Sequence, residues 1–174
     1  AIKGTPEYAS SINEDSPTNR IITSLYTKDR ILFLLKYGIC YKTTTNKDGI
    51  TQIEKHIMRY PQMFATMAIR DKLREGIRKG VIWHTQGSGK TALAYSNVRY
   101  LTDYFSREEG KIAKFYFIVD RLDLAEQAKS EFEARGLNVK MIKDKKQFID
   151  DIVNPGESNT SGKTTMTVLN IQKF

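Results

Sequence analysis

Nine consecutive residues, Trp83-His84-Thr85-Gln86-Gly87-Ser88-Gly89-Lys90-Thr91, place two glycines just before a lysine and a hydroxyl side chain. Each residue type has a task in holding a polyphosphate. Glycines let the main chain curl until several N–H groups converge on one phosphate oxyanion, and a helix opening at Thr91 adds the positive end of its dipole. Lys90 would reach the β- and γ-phosphates of a nucleotide, and the Thr91 hydroxyl would ligate Mg2+, so these two are the catalytic candidates. Gln86, Gly87, Ser88 and Gly89 complete the expected cradle. The strict eight-position phosphate-loop pattern asks for Gly first, and here that position is His84. The departure spares the segment that would make the cradle, because the first position only shapes the turn. The competing reading is a glycine-rich turn with an ordinary exposed lysine. Context separates the two, since the chemistry needs a strand before the turn and a helix after it. Val81-Ile82-Trp83 reads as that strand, with Trp83 in the core and His84 as a structural residue. Thr91 to Phe105 reads as the helix, with Ala94, Val98, Leu101 and Phe105 on one face.

The flanking chain must hold this turn in place. After it, short β-prone runs at 115–119, 138–142 and 165–169 alternate with helices marked by Leu124, Ala125, Ala128 and Phe132, and by Phe148, Ile149 and Ile152. Such alternation implies an α/β fold, a parallel sheet with helices on both faces. The stretch from Asn154 to Gly162 reads as a polar loop. Before the turn, a helix from Thr27 to about Gly38 precedes a β-prone run at 39–45 and a turn at Asn46-Lys47-Asp48-Gly49. Two helical stretches separated by Pro61 are then predicted, Ile53 to Tyr60 and Gln62 to Arg78. The second repeats Ala65, Ile69, Leu73 and Ile77 and is closed by Gly80. Residues 1–24, rich in Ser, Thr, Asn and Pro, read as extended or loop structure.

Composition bounds what this arrangement can be. The chain has 174 residues, 40% of them hydrophobic and 28% charged, which suits one globular domain, alone or with an appendage. Lys and Arg number 28 against 20 Asp and Glu, a net charge of +8 that attracts phosphates of nucleotides or of nucleic acid. One cysteine, Cys40, excludes an intramolecular disulfide, and two histidines leave no zinc-spaced cluster. No apolar run reaches the roughly 20 residues of a membrane span, and residues 1–16 lack a signal-peptide pattern. The cytoplasm is therefore the expected compartment. The first residue is Ala1, as expected of a processed or excised fragment.

Gly80-Val81-Ile82-Trp83-His84-Thr85-Gln86-Gly87-Ser88-Gly89-Lys90-Thr91 closely resembles motif I of the motor (R, or HsdR) subunit of type I restriction-modification enzymes, which are superfamily 2 helicase-like translocases. Arg59-Tyr60-Pro61-Gln62-Met63-Phe64-Ala65 is similar to that family's Arg-Tyr-x-Gln-x-Phe-Ala segment, where the glutamine reads adenine. An amide can pair with adenine N6 and N7 together, so Gln62 is either that reader or a solvated side chain on an amphipathic helix. Arg59 and Tyr60 could stack on the base. Phe117 to Gln127 resembles motif Ia, which places Arg121 toward a DNA backbone; pairing of Arg121 with Asp120 is the alternative. Asn170-Ile171-Gln172-Lys173-Phe174 resembles the family's Thr-x-Gln-Lys-Phe element, with Asn170 for the usual Thr, so Gln172 and Lys173 join Arg121 as DNA-contact candidates.

The resemblance implies a P-loop (RecA-like) lobe over residues 51–174, truncated before an Asp-Glu motif, with residues 1–50 linking to an upstream nuclease domain. It further implies ATP and Mg2+ as cofactors. Implied partners are duplex DNA and the specificity and modification subunits of the complex, with no membrane. The activity implied for the whole protein is ATP-driven DNA translocation and cleavage, and the piece in hand would bind ATP without efficient turnover. Three other readings stand beside it. Another superfamily 2 helicase or repair motor would share the loop, a small-molecule kinase would need an Arg-rich lid that is not seen, and a non-catalytic basic DNA-binding adaptor would ignore nucleotide.

Overall fold

The structure, a computed structural model, describes residue 22, residues 25–154 and residues 165–173. The predicted loop beyond Asn154, and nearly all of the segment 1–24, lie outside the described residues. The chain divides into two compact units, Ala1–Cys40 with Ile57–Ser96, and Tyr41–His56 with Asn97–Phe174.

In the first unit, helix α1 (Lys28–Tyr37) ends at Gly38, whose N–H donates to the Leu34 carbonyl at 2.8 Å. Phe33 is buried, and the Arg30 guanidinium lies 5.1 Å from the centre of the Phe64 ring. Helix α2 spans Tyr60–Arg74. Pro61 does not separate two helices, as predicted, but sits in the first turn of one. There its fixed φ suits the helix and its missing N–H would have had no partner. The helix stops at Arg74, short of the predicted Arg78. It buries Gln62, Met63 and Thr66, whereas Ala65, Ile69, Leu73 and Ile77 line an open groove of about 410 Å³. Helix α3 (Lys90–Glu108) begins in this unit.

Two predicted elements are not formed at all. Residues 53–57 are a strand, not a helix: β1 (Ile39–Thr45) pairs with β2 (Thr51–Ile57). The reason is the Asn46 turn, whose Oδ1 accepts from the N–H groups of Asp48 and Ile50 at 3.0 and 2.8 Å and folds the chain back on itself. Once a partner strand is alongside, the β-branched Thr51, Ile53 and Ile57 fit the pleat better than a helix. The second failure is the strand at 81–83. These residues join no ladder, and Val81 and Trp83 are 89% and 90% exposed. A strand exists through its hydrogen-bonded neighbour, and no described strand pairs with them.

The second unit holds the predicted parallel sheet, with order β3 (Phe115–Val119), β5 (Thr165–Asn170), β4 (Asn138–Ile142). β5 is central and buried along its whole length. Helix α4 (Leu122–Glu133) covers one face through Ala125, Ala128 and Phe132, and Phe132 meets Phe117 edge-on at 5.3 Å. Helix α5 (Lys145–Val153) covers the other, on which Tyr116, Thr167 and Lys140 lie in register. α5 places Asp151, 2% exposed, beneath them. The Asp151 carboxylate pairs with Lys114 at 2.8 Å and Lys140 at 2.6 Å and accepts from the Tyr116 and Thr167 hydroxyls at 3.1 and 3.3 Å. Burial alone would raise its pKa, but the hydrogen bonds from Lys114, Lys140 and Tyr116 outweigh it and hold the carboxyl at about 2. The β1–β2 hairpin docks on the far end of α4, where Lys42 bonds Glu131 at 2.8 Å and the Thr43 N–H donates to the Ala134 carbonyl at 2.8 Å.

Candidate nucleotide-binding site

The turn singled out by sequence is built on two left-handed glycines, Gly87 at φ +75° and Gly89 at φ +81°. The Ser88 N–H donates to the Thr85 carbonyl at 3.3 Å. With Gly87 third, Thr85-Gln86-Gly87-Ser88 has the signature of a type II turn, which calls for glycine at that position. Gly89 then hands the chain to α3, whose first turn closes from the Leu93 N–H to the Gly89 carbonyl at 2.9 Å. Helix α3 therefore starts at Lys90, one residue before the predicted position. Gln86 and Gly87 are exposed and Thr91 is half-buried. The Lys90 ammonium is exposed and donates to the Thr85 carbonyl at 2.8 Å, across the mouth of the turn.

Gln62 is neither a solvated side chain nor an open amide. It is 4% exposed and straps the turn to α2. Its Oε1 accepts from the Arg59 N–H at 2.8 Å, capping the helix, and its Nε2 donates to the carbonyls of Gly89 at 3.0 Å and Ser88 at 3.4 Å. Thr66 supports it from below, donating to the Gln62 carbonyl at 3.0 Å. Pairing with adenine would require Nε2 to give up one of these carbonyls.

The strap fixes a requirement at Gly89, because a Cβ there would lie 2.5 Å from Gln62 Nε2 and the backbone is left-handed. Gly89→Ala is expected to displace Gln62 and strain the turn, lowering stability by about 1–2 kcal/mol. The check is the urea midpoint, and a midpoint equal to that of the unsubstituted chain would contradict the strap.

The residues present fit a bound phosphate. Ser88 Oγ is buried and has no hydrogen-bond partner among the described residues, and His84 Nδ1 shares that state. Buried polar atoms are seldom left so in a finished site. Nothing in the residue types of His84 or Ser88 announced this; only the coil that replaces the expected strand shows it. Trp83, expected in the core, is instead the most exposed of the large side chains beside the turn.

The DNA-contact candidates lie in the second unit. Pairing of Val119 with Asn170 brings Arg121 and Gln172 to one rim at the carboxyl ends of β3 and β5. Residue 173 follows there in a 3-10 turn, Ile171–Lys173. Asn170 is buried and its Oδ1 accepts from the Gln172 N–H at 2.7 Å, so the amide shapes the turn at the place where the family has Thr. Arg121 pairs with Asp123 rather than Asp120, through Nε at 3.1 Å and a second nitrogen at 2.5 Å. That hydrogen bond raises the guanidinium pKa and lowers the carboxyl pKa, so much of the cation is already answered within the chain. Three exposed cations on the same rim, Lys143, Lys145 and Lys146, were not singled out by sequence, because residue type alone does not distinguish them from other surface lysines.

Among the described residues there is no His, Cys, Asp or Glu group that could hold a metal ion, and no helix long and apolar enough to cross a membrane. Comparison with known proteins agrees with the motif reading. Residues 55–174 match the family described as "Type III restriction enzyme, res subunit". The chain is 36% identical over 109 residues to the putative type I restriction enzyme MjaVIIP endonuclease subunit of Methanocaldococcus jannaschii, covering 60% of this chain and 10% of that protein. It is 39% identical over 75 residues to the type I restriction enzyme SsaAORF53P endonuclease subunit of Staphylococcus saprophyticus, covering 43% and 8%. The C-terminal part of a putative type I restriction endonuclease, MpnIIP of Mycoplasma pneumoniae, is 34% identical over 87 residues, covering 44% of this chain and 40% of that one. The chain thus spans about a tenth of the length of the first two relatives. With more than half of its residues inside the matched region, carrying the Gly-Ser-Gly-Lys-Thr turn, the chain belongs to the res-subunit family of restriction enzymes.

Proposed function

We propose that this chain is the ATP-binding part of the DNA-translocating, DNA-cleaving subunit of a type I restriction enzyme, within a first RecA-like lobe over residues 51–174. The observation behind it is the turn itself: two left-handed glycines, a buried hydroxyl without a partner among the described residues and an exposed ammonium, all within five residues. In this reading Gly87 and Gly89 present main-chain N–H groups to the phosphates, Ser88 offers its Oγ and, once its N–H leaves the Thr85 carbonyl, that group too, with Gln86 at the lip. Lys90 leaves the Thr85 carbonyl for the β- and γ-phosphate oxygens, and Thr91 supplies a hydroxyl to Mg2+. Bound Mg-ATP would supply the phosphoanhydride whose cleavage drives movement. What this chain provides is position and positive charge, the main sources of catalysis in phosphoryl transfer. The duplex DNA and the specificity and modification subunits are partners of the whole enzyme, and the cytoplasm is its place.

The test is titration of a fluorescent ATP analogue with Mg2+ against the unsubstituted chain and Lys90→Ala. Equal affinities would remove the assignment. Gln62 has a separate test. As an adenine reader, Gln62→Ala is expected to lose discrimination between ATP and GTP analogues by about 10-fold. If it only straps the turn, affinity for both falls together and the ratio stays, which would end the base-reading role.

A further inference from the structure

The three strands of the second unit end level, since Val119 pairs with Asn170 and Ile142 with Leu169. The turns that follow them therefore share one rim, and its charge is uneven. At the β3 end, Arg121 is committed to Asp123, and exposed Asp120 stands beside the pair. At the β4 end, Lys143, Lys145 and Lys146 are exposed and have no carboxylate partner among the described residues. Elsewhere in this unit Lys42, Arg107, Lys111, Lys114 and Lys129 all sit in ion pairs. Asp144, the acid within the lysine cluster, is turned back to cap α5, accepting from the Gln147 N–H at 2.9 Å. Gln147 returns the bond, its Oε1 accepting from the Lys143 N–H at 3.0 Å. The reciprocal cap answers the Gln147 and Lys143 N–H groups and fixes the turn that carries the three exposed lysines.

We propose that the turn Lys143–Lys146 is a phosphate-contacting part of a duplex DNA track, and that it, rather than Arg121, is the cationic centre of this rim. The inference rests on the reading that the chain belongs to a DNA motor. Three ammonium groups on long stems suit backbone phosphates, as point charges without the bidentate geometry that base edges call for. Contact is therefore independent of sequence and strongly salt-dependent, because each neutralised phosphate releases counterions.

The test measures binding of a fluorescein-labelled duplex of arbitrary sequence by anisotropy, with the full chain, from about 50 to about 200 mM salt. Joint replacement Lys143→Ala, Lys145→Ala and Lys146→Ala is expected to weaken binding at least about tenfold at the low-salt end. It should also reduce the log–log salt slope by about 2 to 3, close to 0.9 per lost contact. The matching triple replacement by Arg, which keeps charge, should restore both and exclude misfolding as the cause. Lys47→Ala with Lys55→Ala, exposed cations on the hairpin at the opposite end of α4 with no carboxylate partner among the described residues, is the control and should leave the slope unchanged. An unchanged slope in the triple Ala variant, an equal loss in the control, or no duplex binding by the unsubstituted chain would overturn the proposal. The Lys90→Ala titration reads the nucleotide site by itself, so either proposal can fail alone.

Discussion

Replacing Lys90 by alanine is expected to weaken binding of the Mg-ATP analogue on the order of 10- to 100-fold. A hydrogen bond from a charged donor contributes about 1.5–3 kcal/mol, and each 1.4 kcal/mol is a factor of ten. The ammonium is exposed and bonded to the Thr85 carbonyl, also exposed, so its removal opens no cavity and orphans no buried group. Folding stability should therefore stay within about 0.5 kcal/mol of the unsubstituted chain, as for surface substitutions generally. The measurement pairs a binding isotherm with a urea melt. A large loss of affinity with an unmoved melt is the expected signature, and a matched loss of both would point to a structural lysine.

The second large effect belongs to Asp151. Asp151→Asn keeps the shape and keeps partners for Tyr116 and Thr167, yet leaves the partly buried Lys114 without its counter-charge. Breaking one side of such a buried pair costs about 3–5 kcal/mol. Lys140 is half-exposed and can turn to water, so Lys114 is the source of most of the loss. The same carboxyl sets an acid limit on the fold. Its folded pKa of about 2 lies below the ordinary 3.8, so its contribution is complete above about pH 4 and is lost as pH falls through about 2. That difference corresponds to on the order of 2–3 kcal/mol at neutral pH. Urea midpoints taken from about pH 5 down to about pH 2 should fall steeply for the unsubstituted chain and more gently for Asp151→Asn. Parallel slopes would show that other carboxylates govern acid unfolding.

What could be read from the sequence depended on how local its physical cause was. The turn at 85–91 was legible because glycine before glycine-lysine-threonine is a demand of backbone geometry and charge within a few residues. Strands β3, β4 and β5 were legible because each is a short β-prone run between helices with clear apolar faces. Ile53 to Tyr60 was misread because a four-residue apolar spacing fits a helix as well as a strand, and the choice was made by the Asn46 turn outside that window. Val81-Ile82-Trp83 has the right residues for a strand, but pairing is a property of two segments and cannot be seen in one. The strap from Gln62 to Gly89 spans 27 positions, and the Asp151 contacts with Lys114 and Tyr116 span 37 and 35. Neither residue type nor period announces partners that distant. For Arg121 the Asp123 partner, two residues away, was passed over for its neighbour Asp120.

The path of the backbone between the two units limits how this protein can be dissected. The hairpin at 41–56 is encoded ahead of the phosphate turn but folds with residues that come after it, held by Lys42 to Glu131 and Thr43 to Ala134. A gene divided at position 96 would strand that hairpin on the wrong product, leaving Glu131 without its lysine. Dividing it at 56 would separate α1 from the remainder of its own unit. No single cut yields both units whole, so a two-piece complementation design would need three segments or a circular permutation.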